Sequence, residues 1–446
     1  MAGALSNHDS SPEQSHSQGA VPDSQRLGRG SLTMAWWGIC SAMFYLVVAA
    51  ALAMGYGTLN AIIGLVLSVI SYGLVNAIIS RHAIATGLSV AQFSQVLFGR
   101  TGAALATLIF SATAIYYAVF EGSVMAVALH HYLPGLELHA AFLLVVVYSV
   151  LLIFGNALRW LDKLNGVLLP FYLLGLVAAV AMAIGEYGYS SAWLALAPEG
   201  GAVPHGWWNC FTYFMGVWVL MMYTWDYARF GRKEDSRYHA RINFGMPFYC
   251  VAFLLNGLVG IFLAATIPTE GGLSEVSVVL AIIQLMGLGG LLFVWISQTR
   301  INTGNFFLAA TNLQAFAGHL GLAWVPYVAW ALLTGALVYL LMLFDVFSYI
   351  LQALAYQSLL IVGWVAIALA HLLVTRNTRY RLDGLPAFRA RGLFAWLASA
   401  AVGIGLHLCG VTELATASAP AAFLVAFLGY LAPLLSRRTQ PQGDLG

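Results

Sequence analysis

Twelve apolar stretches, each about twenty residues long, account for most of this chain of 446 residues. A helix needs about 20 mostly apolar residues to cross the hydrocarbon core of a bilayer. Only 8% of the residues are charged, whereas a soluble domain carries about 25%. The sequence therefore predicts an all-α, polytopic membrane protein with twelve transmembrane helices. The stretches cover residues 35–56, 59–80, 103–129, 140–158, 167–185, 207–225, 244–267, 288–310, 324–344, 347–374, 393–410 and 417–435.

The loops between these stretches alternate in charge. Of the 19 Lys and Arg residues, all except Arg300 lie in segments that can face one side of a membrane. The intervening loops carry acidic or neutral residues, such as Glu137, Glu186 and Glu413. Because loops rich in Lys and Arg stay cytoplasmic, the pattern predicts an inner-membrane protein with both termini in the cytoplasm.

The chain divides into four segments. Residues 1–31 are polar and lack an apolar core, which predicts a disordered cytoplasmic tail. Residues 32–374 hold ten spans, residues 375–392 form a basic loop, and residues 393–446 hold two more spans and a short tail.

An additional apolar segment at residues 275–286 is too short to span a membrane, and Gly287 follows it. We interpret this segment as an interfacial helix that packs over the outer face of the protein. A longer, tilted eighth span is the alternative.

One carboxylate, Glu121, and one of the 19 Lys and Arg residues, Arg300, lie inside predicted spans. Placing an ion in hydrocarbon costs roughly 2.5–3.5 kcal/mol on insertion scales, so such residues usually serve a function. Tyr117 lies four residues before Glu121 and therefore shares its helix face, with Phe120 adjacent. A ring beside a carboxylate suits a flat heterocycle with N–H donors. A structural ion pair, or a protonated carboxyl bonded to a neighbouring helix, is the alternative for Glu121.

The eighth span contains an unusual polar run. Gln298, Asn302 and Asn305 follow one another at helical spacing, and Arg300 with Gly304 occupies a neighbouring face. A lipid-facing helix does not tolerate such a run, so this segment is predicted to face protein or a cavity.

The sixth span has Gly216 and Trp218 near its middle and ends with Asp226 and Arg229. A glycine inside a span is a place where the helix can open, as in transporter binding sites. Close helix packing at Gly216 is the alternative. Asp226 and Arg229 predict an ion pair at the end of the helix.

The sequence excludes several classes of enzyme. It has no P-loop, GxSxG, HExxH or Rossmann glycine pattern, and its four cysteines show no CxxC spacing. We therefore expect no enzymatic activity, no metal, no cofactor and no nucleic-acid partner. Transport energy must then come from an ion gradient or from the solute gradient itself. The coupling ion, H⁺ or Na⁺, and the oligomeric state stay open, and a monomer is plausible.

Four stretches resemble the nucleobase–cation symporters, the family of cytosine, purine, allantoin and hydantoin permeases. They are Trp36-Trp37-Gly38, the run from Thr86 through Gly102, Asp226-Tyr227-Ala228-Arg229-Phe230, and the Asn/Thr-rich eighth span followed by Ala310-Thr311-Asn312-Leu313. The resemblance covers about residues 32–375. It implies the LeuT-type fold, a five-plus-five inverted repeat, here with two extra C-terminal helices, and a substrate held at mid-membrane.

The resemblance also implies roles for individual residues. Tyr117 and Trp218 look like the two aromatic residues that stack a flat base, and Asn305 looks like the amide that orients it. Trp218, however, stands eight residues before Asp226, one fewer than the family spacing. The first span has no Gly or Pro at its expected break, residues 42–45.

Thr299 and Arg300 fall where sodium-coupled members of the family use hydroxyl ligands for the ion. A guanidinium would repel sodium and could stand in for its charge. Our hypothesis is a carrier that does not use sodium at this site. It is either proton-coupled through Glu121 or an exchanger or facilitator.

Two alternatives to a nucleobase carrier remain. The first is an amine or amino-acid carrier of the same fold, in which Glu121 binds an ammonium group. The second is a channel or a receptor without carrier activity. Saturable uptake with counterflow distinguishes a carrier from both a channel and a receptor.

Overall fold

The computed structural model of the protein describes residues 20–154, 157–268, 276–344, 349–375 and 379–439. Each of the twelve predicted stretches coincides with a helix or with a helix interrupted near its middle, which confirms the all-α polytopic fold. In chain order these helices are Arg29–Trp37 with Phe44–Tyr56, Thr58–Thr86, Gly102–Tyr132, Leu138–Leu152, Ala157–Tyr187, Gly206–Met215 with Val219–Ala228, Met246–Tyr249 with Asn256–Thr266, Leu288–His319, Tyr327–Met342, Ile350–Val374, Ala390–Leu408 and Ser418–Thr439.

Six helices in the described part of the chain are long and apolar enough to cross a membrane unaided, and the bent first span makes a seventh. Four shorter apolar helices complete the set that length and composition identify, and one of them is Ser277–Met286. The polar residues 295–305 lie inside a continuous helix of the eighth span, Leu288–His319.

The segment before the eighth span is a separate helix, Ser277–Met286. Gly287 adopts φ 52° and ψ −126°, a backbone conformation that L side chains rarely adopt, and the eighth span begins at Leu288. Val278 and Ile282 are fully buried, so this helix packs into the protein. The alternative of one long, tilted eighth span is therefore wrong.

The spans pack in two groups of four. Spans three, four, eight and nine form one group, and the contact between spans three and eight is the most extensive among the described residues. Spans one, two, six and seven form the other group. Each group pairs a helix with the helix five positions later in the chain. This pairing is the arrangement expected of two five-helix repeats.

The last two spans pack against span ten and against each other. Trp396 of span eleven stacks on Phe98 with 4.7 Å between ring centroids, and Trp364 of span ten donates to Ser94 Oγ at 2.9 Å. Phe98 and Ser94 belong to the short helix Val90–Phe98 that links spans two and three. The two extra helices are thus fixed to the ten-helix core through this linker.

The chain before the first span packs on the ends of spans two and six. The Arg26 side chain, 4% exposed, donates to the Ile84 carbonyl at 2.7 Å and to the Gly231 carbonyl at 2.6 Å, and it pairs with Asp23. Leu27 N–H also bonds Phe230 O. Residues 20–31 therefore differ from the predicted disordered tail, because helix-end carbonyls accept hydrogen bonds from this arginine. Residues 1–19 lie outside the described residues.

We call the face of the protein where these contacts lie the basic side, because Arg26, Arg29 and the Arg229–Arg241 loop meet there. Arg29 pairs with Asp235 at 2.9 Å and lies over the Tyr238 ring. The N-terminal segment therefore ties the start of span one to the end of span six and to the loop that follows it.

Replacing Arg26 with Ala should lower the stability of the purified protein. The two carbonyl bonds come from a charged donor, and together they contribute about 3 kcal/mol. We expect the midpoint of thermal unfolding in detergent to fall by several degrees. Lys233→Ala is the control, because Lys233 pairs with the same Asp23 but is 56% exposed. Equal midpoints for the two variants would contradict the structural role of Arg26.

Candidate functional site

The first span is interrupted at its middle. Helix Arg29–Trp37 continues into a tight 3₁₀ turn at Gly38–Ser41, Ala42 is extended, and helix Phe44–Tyr56 follows at a bend of 41°. The break therefore lies at the position expected from the family resemblance, although no glycine or proline stands at residues 42–45.

Side chains from the seventh and eighth spans satisfy the backbone groups that this break frees. Asn256 Nδ2 donates to the Cys40 carbonyl at 2.7 Å, and Gln298 Oε1 accepts from Met43 N–H at 3.1 Å. Ser41 Oγ adds a bond to the Ser297 carbonyl at 3.1 Å. Unsatisfied backbone groups are costly away from water, so these partners make a break without glycine possible.

The sixth span is distorted at the equivalent place but stays helical. A 3₁₀ turn at Gly216–Trp218 joins Gly206–Met215 to Val219–Ala228, with backbone angles in the right-handed helical region throughout. Gln357 Nε2 of span ten donates to the Gly216 carbonyl at 3.0 Å. Gly216 therefore marks a tightened turn in this structure and not an opened helix.

A central cavity lies beside the interrupted first span. Its lining includes Phe44 of span one, Tyr117 and Glu121 of span three, and Asn305 of span eight. Val217, Leu220 and Tyr223 of span six close another side. The structure thus brings three of the predicted site residues, Tyr117, Glu121 and Asn305, to the wall of one cavity.

Glu121 is linked to the break in the first span through Gln298. Gln298 Nε2 donates to Glu121 Oε2, while Gln298 Oε1 accepts from Met43 N–H at the start of the second half-helix, Phe44–Tyr56. The exposed fraction of Glu121 is 1%, yet it lines the cavity. A change in charge or hydrogen bonding at Glu121 would therefore reach the first span through a single amide side chain.

Arg300 lies on the other side of the break. Its Nη2 donates to the Ala35 carbonyl, in the last turn of the first half-helix, where the partial negative charge of a helix end is concentrated. A Cβ at Gly38 would overlap the guanidinium, so only glycine leaves room for Arg300 there. Arg300 and Glu121 do not form an ion pair with each other.

A second cavity adjoins the first on the basic side. Arg300, Gly38, Gly304 and Tyr227 line it, and Tyr227 lies one residue before the end of the sixth span's inner helix. Ile39, Tyr223, Ile301 and Asn305 line both cavities, so the two lie side by side.

Trp218 lies away from both cavities. Its ring packs against Tyr72 at 6.3 Å and against Phe423 of span twelve at 5.6 Å, and Val217 lines the central cavity in its place. Neighbouring residues on a helix point about 100° apart, so the one-residue difference in spacing turns the ring outward. The structure does not support the predicted stacking role of Trp218.

Two other predicted residues lie beside the site without lining the cavities. Phe120 packs edge-on against Phe44 at 5.2 Å, behind the cavity wall. Thr299 bonds Tyr148 of span four at 3.0 Å and the Trp295 carbonyl. Thr299 therefore links span eight to span four. It does not bond the Ala35 carbonyl, which Arg300 contacts.

The predicted ion pair at the end of span six is present. Arg229 Nε lies 4.0 Å from Asp226 Oδ1, and the same oxygen accepts from Val90 N–H at 2.9 Å. Val90 is the first residue of the linker helix Val90–Phe98. Asp226 therefore holds this linker at the basic side, which is a structural role.

The sequence analysis missed three residues of the site. Gln357 of span ten donates to the Tyr117 hydroxyl at 3.4 Å, Phe44 contacts the Tyr117 ring at 5.2 Å, and Tyr223 lines both cavities. The amide of Gln357 inside an apolar span was a usable signal, because such polar groups usually face a bundle interior. Phe44 and Tyr223 gave none, since aromatic residues are common throughout these spans.

Among the residues that the structure describes, no group of three or more His, Cys, Asp or Glu side chains could hold a metal ion. The polar groups of the site are one carboxylate, one guanidinium, amides and tyrosine hydroxyls. Such a set recognises a small polar molecule through hydrogen bonds and charge.

Solved structures of transporters share this fold. The inward-facing conformation of Mhp1 has a TM-score of 0.74 and 15% sequence identity, over 96% of this chain and 95% of that one. Mhp1, described as a nucleobase-cation-symport-1 family transporter, also matches in a closed conformation with bromovinylhydantoin bound, with a TM-score of 0.71, 15% identity, and coverage of 96% and 97%. A Na⁺-coupled sialic acid symporter follows with a TM-score of 0.58, 12% identity, and coverage of 97% and 95%.

No protein-family model and no curated protein matches the chain. The structural comparisons confirm the resemblance to the nucleobase–cation symporters at the level of the fold, which is that of the LeuT-type transporters. They also agree with the absence of an enzyme fold.

Proposed function

We propose that this protein is a secondary transporter of a nucleobase or a related flat nitrogen heterocycle. It would lie in the cytoplasmic membrane, with its basic side and both termini in the cytoplasm. The convergence of Tyr117, Glu121 and Asn305 on one cavity beside the interrupted first span carries this proposal. Glu121 would accept ring or exocyclic N–H groups, Tyr117 would contact the ring face, and Asn305 would orient it.

The position of Arg300 supports transport without sodium at the broken helix. In transporters with interrupted helices, freed carbonyls and the ends of half-helices coordinate the sodium ion. Here a guanidinium donates to such a carbonyl, that of Ala35. A fixed cation at this place would repel sodium. Coupling would then run through protonation of Glu121, or the protein would exchange or equilibrate its substrate.

An amine or amino-acid carrier is the second candidate, and the outward turn of Trp218 favours it. Val217 replaces the second aromatic wall, so the cavity does not require a flat ligand on that side. In that case Glu121 would pair with an ammonium group.

Uptake into proteoliposomes tests the proposal. We expect saturable uptake and counterflow of at least one labelled heterocycle among uracil, cytosine, hypoxanthine and hydantoin, with and without sodium. Tyr117→Leu should reduce uptake more than tenfold, since a ring–ligand contact and a hydroxyl are lost. Tyr116→Leu is the matched control, because the neighbouring ring does not line the cavity. Uptake of amines or amino acids alone would favour the second candidate, and non-saturable flux would indicate a channel.

A further inference from the structure

The second cavity contains a positive charge without a carboxylate partner. No ion pair of the described residues includes Arg300. Its Nη2 donates to Ala35 O, whereas Nη1 is shielded from water and has no hydrogen-bond acceptor in the described part of the protein. A guanidinium has five N–H donors, so the protein leaves most of this recognition capacity unused.

The neutral surroundings of Arg300 increase the cost of leaving it unpaired. Besides Arg300, the lining consists of Gly38, Gly304, Asn305, tyrosines and aliphatic side chains. The carbonyls that end helix Arg29–Trp37 offset only part of a unit charge. In a site of low dielectric, an anionic group that accepts bidentate hydrogen bonds compensates a guanidinium best.

The arrangement of the two cavities suggests that the anionic group is part of the ligand. Tyr223, Ile301 and Asn305 line both cavities, so a ligand that bridged the two cavities would reach both Glu121 and Arg300. Gly304 leaves open space on the eighth span, because a Cβ there would meet no atom within 4 Å. A ring bound beside Glu121 could therefore direct a substituent past Gly304 toward Arg300.

We propose that the transported heterocycle bears a carboxylate, which binds Arg300 in the second cavity while the ring binds beside Glu121. This inference rests on the proposed function and specifies the substrate class further. The two charged residues would then bind different groups of one molecule. Glu121 would accept from its N–H donors, and Arg300 would donate to its carboxylate. Because Glu121 bonds Gln298 and Arg300 bonds the Ala35 carbonyl, the two charged residues do not neutralise each other.

Binding of matched pairs of ligands to the purified full-length protein tests this inference. The pairs are uracil with uracil-6-carboxylate, and hydantoin with hydantoin-5-acetate, measured by calorimetry. For the ring that binds, the carboxylated member should bind about tenfold tighter or better, as expected for a hydrogen-bonded charge. The ratio of the two dissociation constants should fall close to one in Arg300→Gln.

A second variant is needed because Arg300→Gln could lose binding through misfolding alone. Gly304→Leu keeps the charge but fills the second cavity, so it should also remove the preference for the carboxylated member. Gly318→Leu is its control, because Gly318 lies on the same helix, lines neither cavity and has open space around it. It should keep the wild-type ratio.

Three results would overturn the inference. In the first, the uncharged rings bind and their carboxylated partners bind no better. In the second, the preference is present but survives both Arg300→Gln and Gly304→Leu. In the third, free chloride or acetate binds at Arg300 without competing with the carboxylated ligand. In all three the proposed function stands, whereas failure of every ring, charged or not, would overturn the proposed function as well.

Discussion

Uptake by the Glu121→Gln variant should be at least about 30-fold slower than wild-type uptake and should no longer depend on pH. The glutamine has the same shape and can still accept from Gln298 Nε2, so the link to Met43 N–H at the break is kept. What is lost is the charge that faces the ligand and the ability to carry a proton. A hydrogen bond between the ligand and a charged group contributes about 1.5–3 kcal/mol.

Uptake at several external pH values, together with binding by calorimetry, separates the two losses. Gln298→Glu is unsuitable as a control because it would place two carboxylates in contact. Gln284→Glu is the control instead, because Gln284 is exposed and lines neither cavity. That variant should transport as the wild type does. If Glu121→Gln keeps the wild-type rate and pH profile, the carboxylate is a structural element and the proposed mechanism fails.

Removing the guanidinium of Arg300 should have the second large effect. Arg300→Ala breaks the bond between the eighth span and the Ala35 carbonyl and leaves an empty space beside the break. A hydrogen bond from a charged donor contributes about 1.5–3 kcal/mol, so uptake should fall about 10- to 100-fold. Wild-type uptake should be the same in sodium and in choline buffers.

Gly38→Ala provides a complementary test of the same contact. The added methyl group occupies the position of the guanidinium and must displace it, whereas Gly55→Ala meets no atom within 4 Å. The first variant should resemble Arg300→Ala, and the second should resemble the wild type. Uptake that sodium stimulates and that survives Arg300→Ala would contradict a sodium-independent site.

The sequence predicted the spans well because the bilayer imposes a simple requirement of length and apolarity. It also predicted that the polar run of the eighth span faces the protein interior, where Gln298, Asn302 and Asn305 are all buried. These conclusions depend on properties of single helices. Glu121 and Asn305 were found for the same reason, since carboxylates and amides at depth are uncommon enough to stand out, and Tyr117 was found because it shares a helix face with Glu121.

The remaining features depend on contacts between helices. Trp218 was assigned to the cavity, but its direction depends on a rotation of about 100° per residue that spacing alone could not fix. Whether Arg300 pairs with Glu121 depended on which side of the broken span each side chain occupies. The order of residues 20–31 depended on carbonyls of distant helix ends, which accept from Arg26.

The amide bonds of Asn256 and Gln298 to the first span have a consequence for biogenesis. Residues 35–56 contain no intrinsic helix breaker at residues 42–45, and the partners that stabilise their interruption are synthesised more than 200 residues later. The first span should therefore enter the bilayer from the translocon as a continuous helix and kink only when spans seven and eight dock. Until then the proposed substrate site is incomplete, so it forms only after spans seven and eight have been synthesised.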